Sequence, residues 1–336
     1  MGGFELQRQV FSLRWINAVC NAAHKTIPAR VRGAQLSLVD HDVRANETDC
    51  MTRIVEPLLG TRAELQVRAS SAQAVEAIEE EILAEVARLE SIFSVFDEHS
   101  ELHRFRRTGL ATSPELLTVL ALAEEWQTST DGALHSSMHP LFDLWEQAET
   151  LQVMPTGDSL RRVVEEMGSG WRAALNLNAI AKGWIAERAV MSAFDESDEV
   201  REIWLSLGGD LVHRGEGAVV VGIEDPHRPW DNVAPMATVE IAQESLATSG
   251  RARRWWSIGG QRYSQVLDPR TGRPVDHVAS ATVIAEDAAT ADALATVAVV
   301  LDVGETLRLV EASGGECFLV HSDGTTTSSS SRFQLS

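Results

Sequence analysis

Two oxygen-bearing side chains one helical turn apart carry the clearest chemistry in this sequence. Asp292 and Thr296, in Asp292-Ala293-Leu294-Ala295-Thr296, share one face of a helix. A carboxylate and a hydroxyl are hard oxygen donors. Few protein ligands, completed by water and phosphate, are what Mg²⁺ prefers. Leu294, Val297 and Leu301 point the other way, toward a core. The alternative is a solvated polar face, and Val299 counts against it because it falls on that same face.

A second segment runs from Asn176 through Leu177, Asn178, Ala179, Ile180, Ala181 and Lys182 to Gly183, and reads as a strand entering a helix. A helix N-terminus offers unpaired N–H groups and the positive end of a dipole, both suited to phosphate. Lys182 adds a cation, and its only companion lysine in the chain is Lys25. An ordinary strand-to-helix connection with a solvated lysine is the other reading. Leu205 to Asp210 ends a strand at Gly208-Gly209, where backbone can approach a ligand closely. Leu246 to Gly250 reads as a small-residue loop offering hydroxyls and N–H groups. Asp268-Pro269-Arg270-Thr271-Gly272 is a turn by its chemistry. His99 and His103 have a spacing that can hold a metal, but the HExxH order is missing, and a polar turn after a helix is the plainer reading.

The elements that must position these groups follow from periodicity. Val75, Ile78, Ile82, Val86, Leu89 and Phe93 form an apolar stripe at helical spacing after Ser71. Ser113-Pro114-Glu115 is a helix start, with a capping residue, a proline at the first position and an acid in the first turn. Further helices are expected over 158–167, 180–194, 287–301 and 305–312. Strands are expected over 173–177, 203–207, 218–223, 238–241, 281–285 and 317–320. A hairpin is expected over 255–264 around Gly259-Gly260. Helices come early and strands dominate later, which argues an α+β fold.

The chain has 336 residues, 44% hydrophobic and 23% charged, an ordinary globular composition that excludes disordered and collagen-like classes. Asp and Glu number 49 against 29 Lys and Arg, for a formal charge of −20. Such a surface repels polyanions, so no nucleic-acid partner is expected. An anionic small ligand then requires a local device: a metal ion, a helix N-terminus or a few placed arginines. Cys20, Cys50 and Cys317 are scattered and argue against a disulfide framework or a zinc site. No apolar run is long enough to span a membrane, and Val10 to Ala23, broken by Arg14, is no signal peptide, so a cytoplasmic location is expected. Rossmann, P-loop and nucleophile-elbow motifs are missing.

The order of the segments is more specific than any one of them. Phe93 to Asp97 with Ser100-Glu101-Leu102, Asp131 to His135 with Pro140-Leu141, Asn176 to Gly183, Leu207 to Asp210, Ala247 to Gly250, Arg262 to Gly272 and Ala291 to Thr296 resemble, in that order, the FAD:protein FMN transferase (ApbE) family. The resemblance covers roughly residues 52–323. It implies an α+β, ApbE-like fold: mixed or antiparallel sheets with flanking helices in one two-lobed catalytic domain. That domain is expected over residues 51–324, after an extension over 1–50 and before a polar tail over 325–336.

The implied activity is Mg²⁺-dependent transfer of FMN from FAD to a Thr or Ser hydroxyl of an acceptor protein, with release of AMP. The resemblance assigns metal ligation to the Ala179 carbonyl and the Asp292 and Thr296 side chains. It assigns flavin contacts to Phe96, Ala133, Leu134, His135, Asn176, Lys182 and Gln265, with Ser249 and Gly250 close by. Asp268 and His135 are the candidates for the base. The chain has Asn176 where the family usually has Asp, and Phe96, His135 and Gln265 where it often has Tyr, Asp and His. Two other readings use the same residues: an FAD pyrophosphatase giving FMN and AMP, and a flavin-binding protein without catalysis.

Overall fold

The computed structural model describes residues 10–12, 50–59, 61–169, 172–230, 232–251 and 255–336. Most of the extension expected over 1–50 lies outside the described residues. In chain order the first half contains β1 (Val10–Ser12), β2 (Cys50–Leu58), β3 (Thr61–Ala69), α1 (Ala72–Phe93), α2 (Glu101–Thr108), α3 (Pro114–Ser129), α4 (His139–Leu151), α5 (Gly157–Ser169) and α6 (Asn178–Glu196). The second half begins with β4 (Val200–Leu207), β5 (Asp210–Gly215), β6 (Val219–Ile223), β7 (Ala237–Ile241), β8 (Ser245–Gly250), β9 (Trp255–Ile258) and β10 (Gln261–Ser264). It closes with β11 (Leu267–Asp268), β12 (Arg273–Pro274), β13 (Val278–Ala285), α7 (Ala288–Val300), α8 (Val303–Ala312), β14 (Glu316–His321), β15 (Thr326–Ser328) and β16 (Gln334–Leu335).

The main sheet has eight strands in the order β15-β14-β13-β8-β5-β4-β3-β2, and every pairing in it is antiparallel. Side chains alternate between its faces with period two. Ala63, Leu65, Val67, Ile203 and Leu205 face one way and meet Ile78, Ile82, Val86, Ile185 and Ala189 of α1 and α6. Trp204, Leu246, Ile284, Phe318 and Val320 face the other way and meet Val219, Val221, Val239 and Ile241 of the smaller sheet β1-β6-β7-β16. Strand β13 lies under both layers, which is why all eight of its residues are buried.

A second lobe packs around Leu141, Trp145, Leu160, Met167, Trp256, Ile258 and Leu267, from α4, α5 and the β9–β10 hairpin. Trp145 and Trp256 stack with centroids 5.4 Å apart, and Trp145 donates its indole N–H to the Gly272 carbonyl at 2.9 Å. The two-lobed α+β architecture is the one expected.

Several local expectations differ from the structure. Residues 173–177, expected as a strand, form turns and a loop, because their backbone groups are claimed by a side chain and another loop rather than by a neighbouring strand. Leu246 to Gly250, expected as a loop, lies in β8. Its small polar residues are held between β5 and β13, a pairing that only tertiary structure supplies. His99 is in the expected turn, but His103 belongs to α2. The last residues, expected as a polar tail, pair as β15 and β16, and Phe333 packs on Phe318 in the core between the sheets.

Candidate active site

Helices α6 and α7 cross at a point of close backbone approach. A Cβ on Gly183 would lie 2.2 Å from the Ala288 carbonyl oxygen, so only glycine fits there. That contact brings the Gly183 N–H to the Asp292 carboxyl. Asp292, on α7, is 3% exposed. Asp292 is therefore not on a solvated face, and almost every residue of α7 is buried.

Three charges meet beside this crossing. Gly208 and Gly209 both have positive φ, a turn that non-glycine residues resist, and the turn delivers Asp210 at the start of β5. Lys182 Nζ lies 2.7 Å from Asp210 Oδ2 and 3.8 Å from Asp292 Oδ2. Asp210 is 2% exposed. Burial, and then the neighbouring Asp210 charge, push the Asp292 carboxyl up to about 7, against the pull of Lys182 and the Gly183 N–H. Sequence reasoning singled out the Gly208-Gly209 turn but did not place Asp210 in the site. The available signal was a carboxylate directly after a paired-glycine turn.

Asp292 Oδ2 is buried and has no hydrogen-bond partner among the described residues. A buried carboxylate oxygen without a partner is costly unless a cation completes it. Thr296 Oγ1, one turn along α7, lies 3.3 Å from Ser249 Oγ on β8. Ala179 stands in the first turn of α6, the helix that faces α7. One carboxylate, one or two hydroxyls and a carbonyl form a hard-oxygen donor set of the kind Mg²⁺ accepts. Among the described residues there is no group of three or more His, Cys, Asp and Glu that could hold a metal ion. The His99–His103 spacing is accounted for otherwise: His103 Nε2 contacts the Val95 carbonyl at 2.8 Å.

The remaining candidate residues surround the start of α6. Asn176 Oδ1 accepts the Asn178 N–H at 2.9 Å, a local side-chain turn just before the helix starts. Its own N–H donates to the Ser136 carbonyl, which joins this loop to the segment bearing Ala133, Leu134 and His135. Ala133 and Leu134 are buried, and the Leu134 N–H donates to Thr130 Oγ1 at 3.1 Å. His135 Nδ1 accepts the Ser137 N–H at 3.0 Å, so the neutral ring carries its proton on Nε2. Burial holds the His135 pKa below the usual imidazole value and keeps the ring neutral.

Phe96 stands in the turn after α1 and is 53% exposed, an open aromatic face. Gln265 lies half-buried between β10 and β11. Gly250 packs closely on β13, where an added Cβ would come within 2.8 Å of the Ala279 carbonyl oxygen. Asp268 is committed to its own turn. Arg270 binds both of its oxygens, at 2.9 and 3.1 Å, and the Arg270 N–H donates to Oδ1. The two candidate bases thus differ: His135 presents an Nε2–H, and Asp268 is closed by an arginine fork.

Comparison with known proteins identifies the family and the fold. The ApbE family profile matches residues 59–319. The FAD:protein FMN transferase of Vibrio cholerae is 30% identical over 244 residues, covering 66% of this chain and 72% of that protein. The FAD:protein FMN transferase of Salmonella typhimurium is 27% identical over 261 residues, covering 69% and 73%. The crystal structure of the ApbE protein of Thermotoga maritima superposes with a TM-score of 0.73 at 24% identity, covering 83% of this chain and 97% of that one.

Proposed function

The chain belongs to the ApbE family, and from that premise we propose that it is an FAD:protein FMN transferase. The observation that carries the reading is the pairing of Asp292 and Thr296 on α7 with the start of α6, around a buried carboxylate oxygen that lacks a hydrogen-bond partner. Asp292, Thr296 and the Ala179 carbonyl would hold Mg²⁺, which when bound draws negative charge from the pyrophosphate. The FAD pyrophosphate then belongs between the first turn of α6 and this face of α7.

The chain's own residues supply the positioning. Phe96 offers an exposed face for the isoalloxazine ring, and the Asn176 loop, tied to the Ala133–His135 segment through Ser136, supplies the other flavin contacts. Lys182 gives its short contact to Asp210 and stands 3.8 Å from Asp292 Oδ2, so that oxygen keeps no hydrogen-bond partner among the described residues. In the reaction, the hydroxyl oxygen of an acceptor Thr or Ser bonds to the phosphorus on the FMN side. The bond from that phosphorus to the bridging oxygen breaks, AMP leaves, and the hydroxyl proton is lost. Catalysis of this kind consists mostly of positioning and electrostatics.

The test is chromatography of FAD incubated with the purified chain, with and without Mg²⁺, and with and without a protein carrying a candidate acceptor Thr. Mg²⁺-dependent AMP together with acceptor-bound flavin is expected. AMP with only free FMN would replace the transferase reading with hydrolysis. Bound FAD that is never cleaved under any of these conditions would remove catalysis altogether.

A further inference from the structure

Several cations around the site are neutralised within the chain. Lys182 sits between Asp210 and Asp292. Arg270 is closed on Asp268, and Arg214 on Glu187. His135 is held neutral by burial. On a chain of formal charge −20, these groups leave no net attraction for an anionic substrate.

Arg106, on α2, is different. Its Nε donates to the Leu175 carbonyl at 2.8 Å, its Nη2 donates to the same oxygen, and its Nη1 lies 3.3 Å from His103 Nε2. Neither partner is a carboxylate, and no described carboxylate lies within ion-pair distance of it. The guanidinium is half-buried, and burial alone lowers its pKa from the usual arginine value while leaving it charged. Leu175 immediately precedes Asn176, and His103 Nε2 also touches the Val95 carbonyl, next to Phe96. Arg106 therefore holds the backbone immediately before Asn176, and its positive charge has no carboxylate partner among the described residues.

We infer that Arg106 is a specificity-determining residue for the phosphorylated flavin: the geometry supplies, through its unpaired charge, the attraction that favours FAD over a neutral flavin. The inference rests on the flavin-transferase reading above. It adds that the anion is recognised by this guanidinium as well as by the metal face, since Lys182 is already occupied by carboxylates. A fixed, partly desolvated charge acts on an anion more strongly than a solvated one.

The experiment is calorimetric titration of the full chain with FAD and with riboflavin, which has no phosphate, for the wild type and for Arg106→Gln. The wild type should prefer FAD. Arg106→Gln should weaken FAD by about tenfold, the loss of about 1.4 kcal/mol, while riboflavin stays within about twofold of wild type. Raising the salt concentration should weaken FAD binding less in Arg106→Gln than in wild type. Equal losses for both flavins would make Arg106 a purely structural tie and overturn the inference. An unchanged FAD affinity would overturn it too. A wild type that binds neither flavin would overturn the transferase reading itself. If Arg106→Gln does not fold, Arg106→Lys keeps the charge without the fork and should keep the preference for FAD. Loss of that preference in a folded Arg106→Lys would defeat the assignment.

Discussion

Lys182 Nζ lies 2.7 Å from Asp210 Oδ2, and this contact decides what the lysine can do. The ammonium group is 3.8 Å from Asp292 Oδ2, an ion pair too long for a hydrogen bond, so its hydrogen bond goes to Asp210 and not to the carboxylate that would hold the metal. The side chain of Lys182 is 34% exposed, whereas that of Asp210 is 3% exposed, so the pair has one wet end and one dry end.

Removing Asp210 should free Lys182 to move onto Asp292. Asp210→Ala is expected to raise the Mg²⁺ concentration needed for AMP release by tenfold or more, on the order of 1.4 kcal/mol. In Asp210→Ala combined with Lys182→Met, that defect should largely disappear, because no ammonium remains to compete. A Mg²⁺ titration of AMP release across the four proteins of the double-mutant cycle measures the coupling.

Lys182→Met alone should be the least stable of these variants. It leaves Asp210 and Asp292 facing each other in the interior without a cation, and breaking a buried pair in this way costs about 3–5 kcal/mol. Added Mg²⁺ should recover part of the loss. Urea denaturation with and without Mg²⁺ checks both points.

Asp292→Asn should abolish Mg²⁺-dependent AMP release, and the metal-free variant should melt no lower than metal-free wild type. The wild-type carboxyl is buried with one oxygen lacking a hydrogen bond and has its pKa raised by burial, so an uncharged isostere removes a desolvation cost. Retained Mg²⁺-dependent turnover in this variant would refute the metal assignment. Thr296→Val should weaken Mg²⁺ binding and Thr296→Ser should preserve it, since only the hydroxyl is needed. The hydroxyl also contacts Ser249, so the valine variant is expected to lose about 1 kcal/mol of stability.

Glu101 makes the link between α2 and α3 sensitive to acid. One of its oxygens accepts the Thr112 N–H at 2.6 Å, the Ser113 N–H at 2.8 Å and the Thr112 hydroxyl at 3.0 Å. Burial raises its pKa, but the hydrogen bonds from Ser113 and Thr112 together outweigh that, and the net shift is downward. A carboxyl with a lowered pKa contributes stability above its unfolded pKa and loses it as pH falls through the folded value. Glu101→Gln should therefore cost about 1.5–3 kcal/mol at pH 7, and the gap to wild type should close in acid below about pH 4. Urea midpoints at several pH values measure it.

Much of this protein was legible from the sequence alone. Helices α1, α3, α6 and α7 follow from apolar spacing and caps. Ser71 and Ser113 cap their helices, each accepting an N–H three residues on. The Asp292–Thr296 face was visible because helical periodicity relates those two positions without reference to the rest of the chain. The order of motifs identified the family for the same reason, since each motif is contiguous.

What the sequence could not determine is whatever depends on residues distant along the chain. Leu246 to Gly250 has the composition of a loop and becomes β8 only because β5 and β13 pair with it on either side. Residues 173–177 have the composition of a strand and remain a loop because Arg106, 69 residues earlier, takes the Leu175 carbonyl. Lys182 looked like a free cation for phosphate until Asp210, 28 residues later, proved to hold it. Periodicity and capping act within a few residues, whereas strand pairing and charge compensation act across space, so only the folded chain decides which backbone groups and which charges remain available to a substrate.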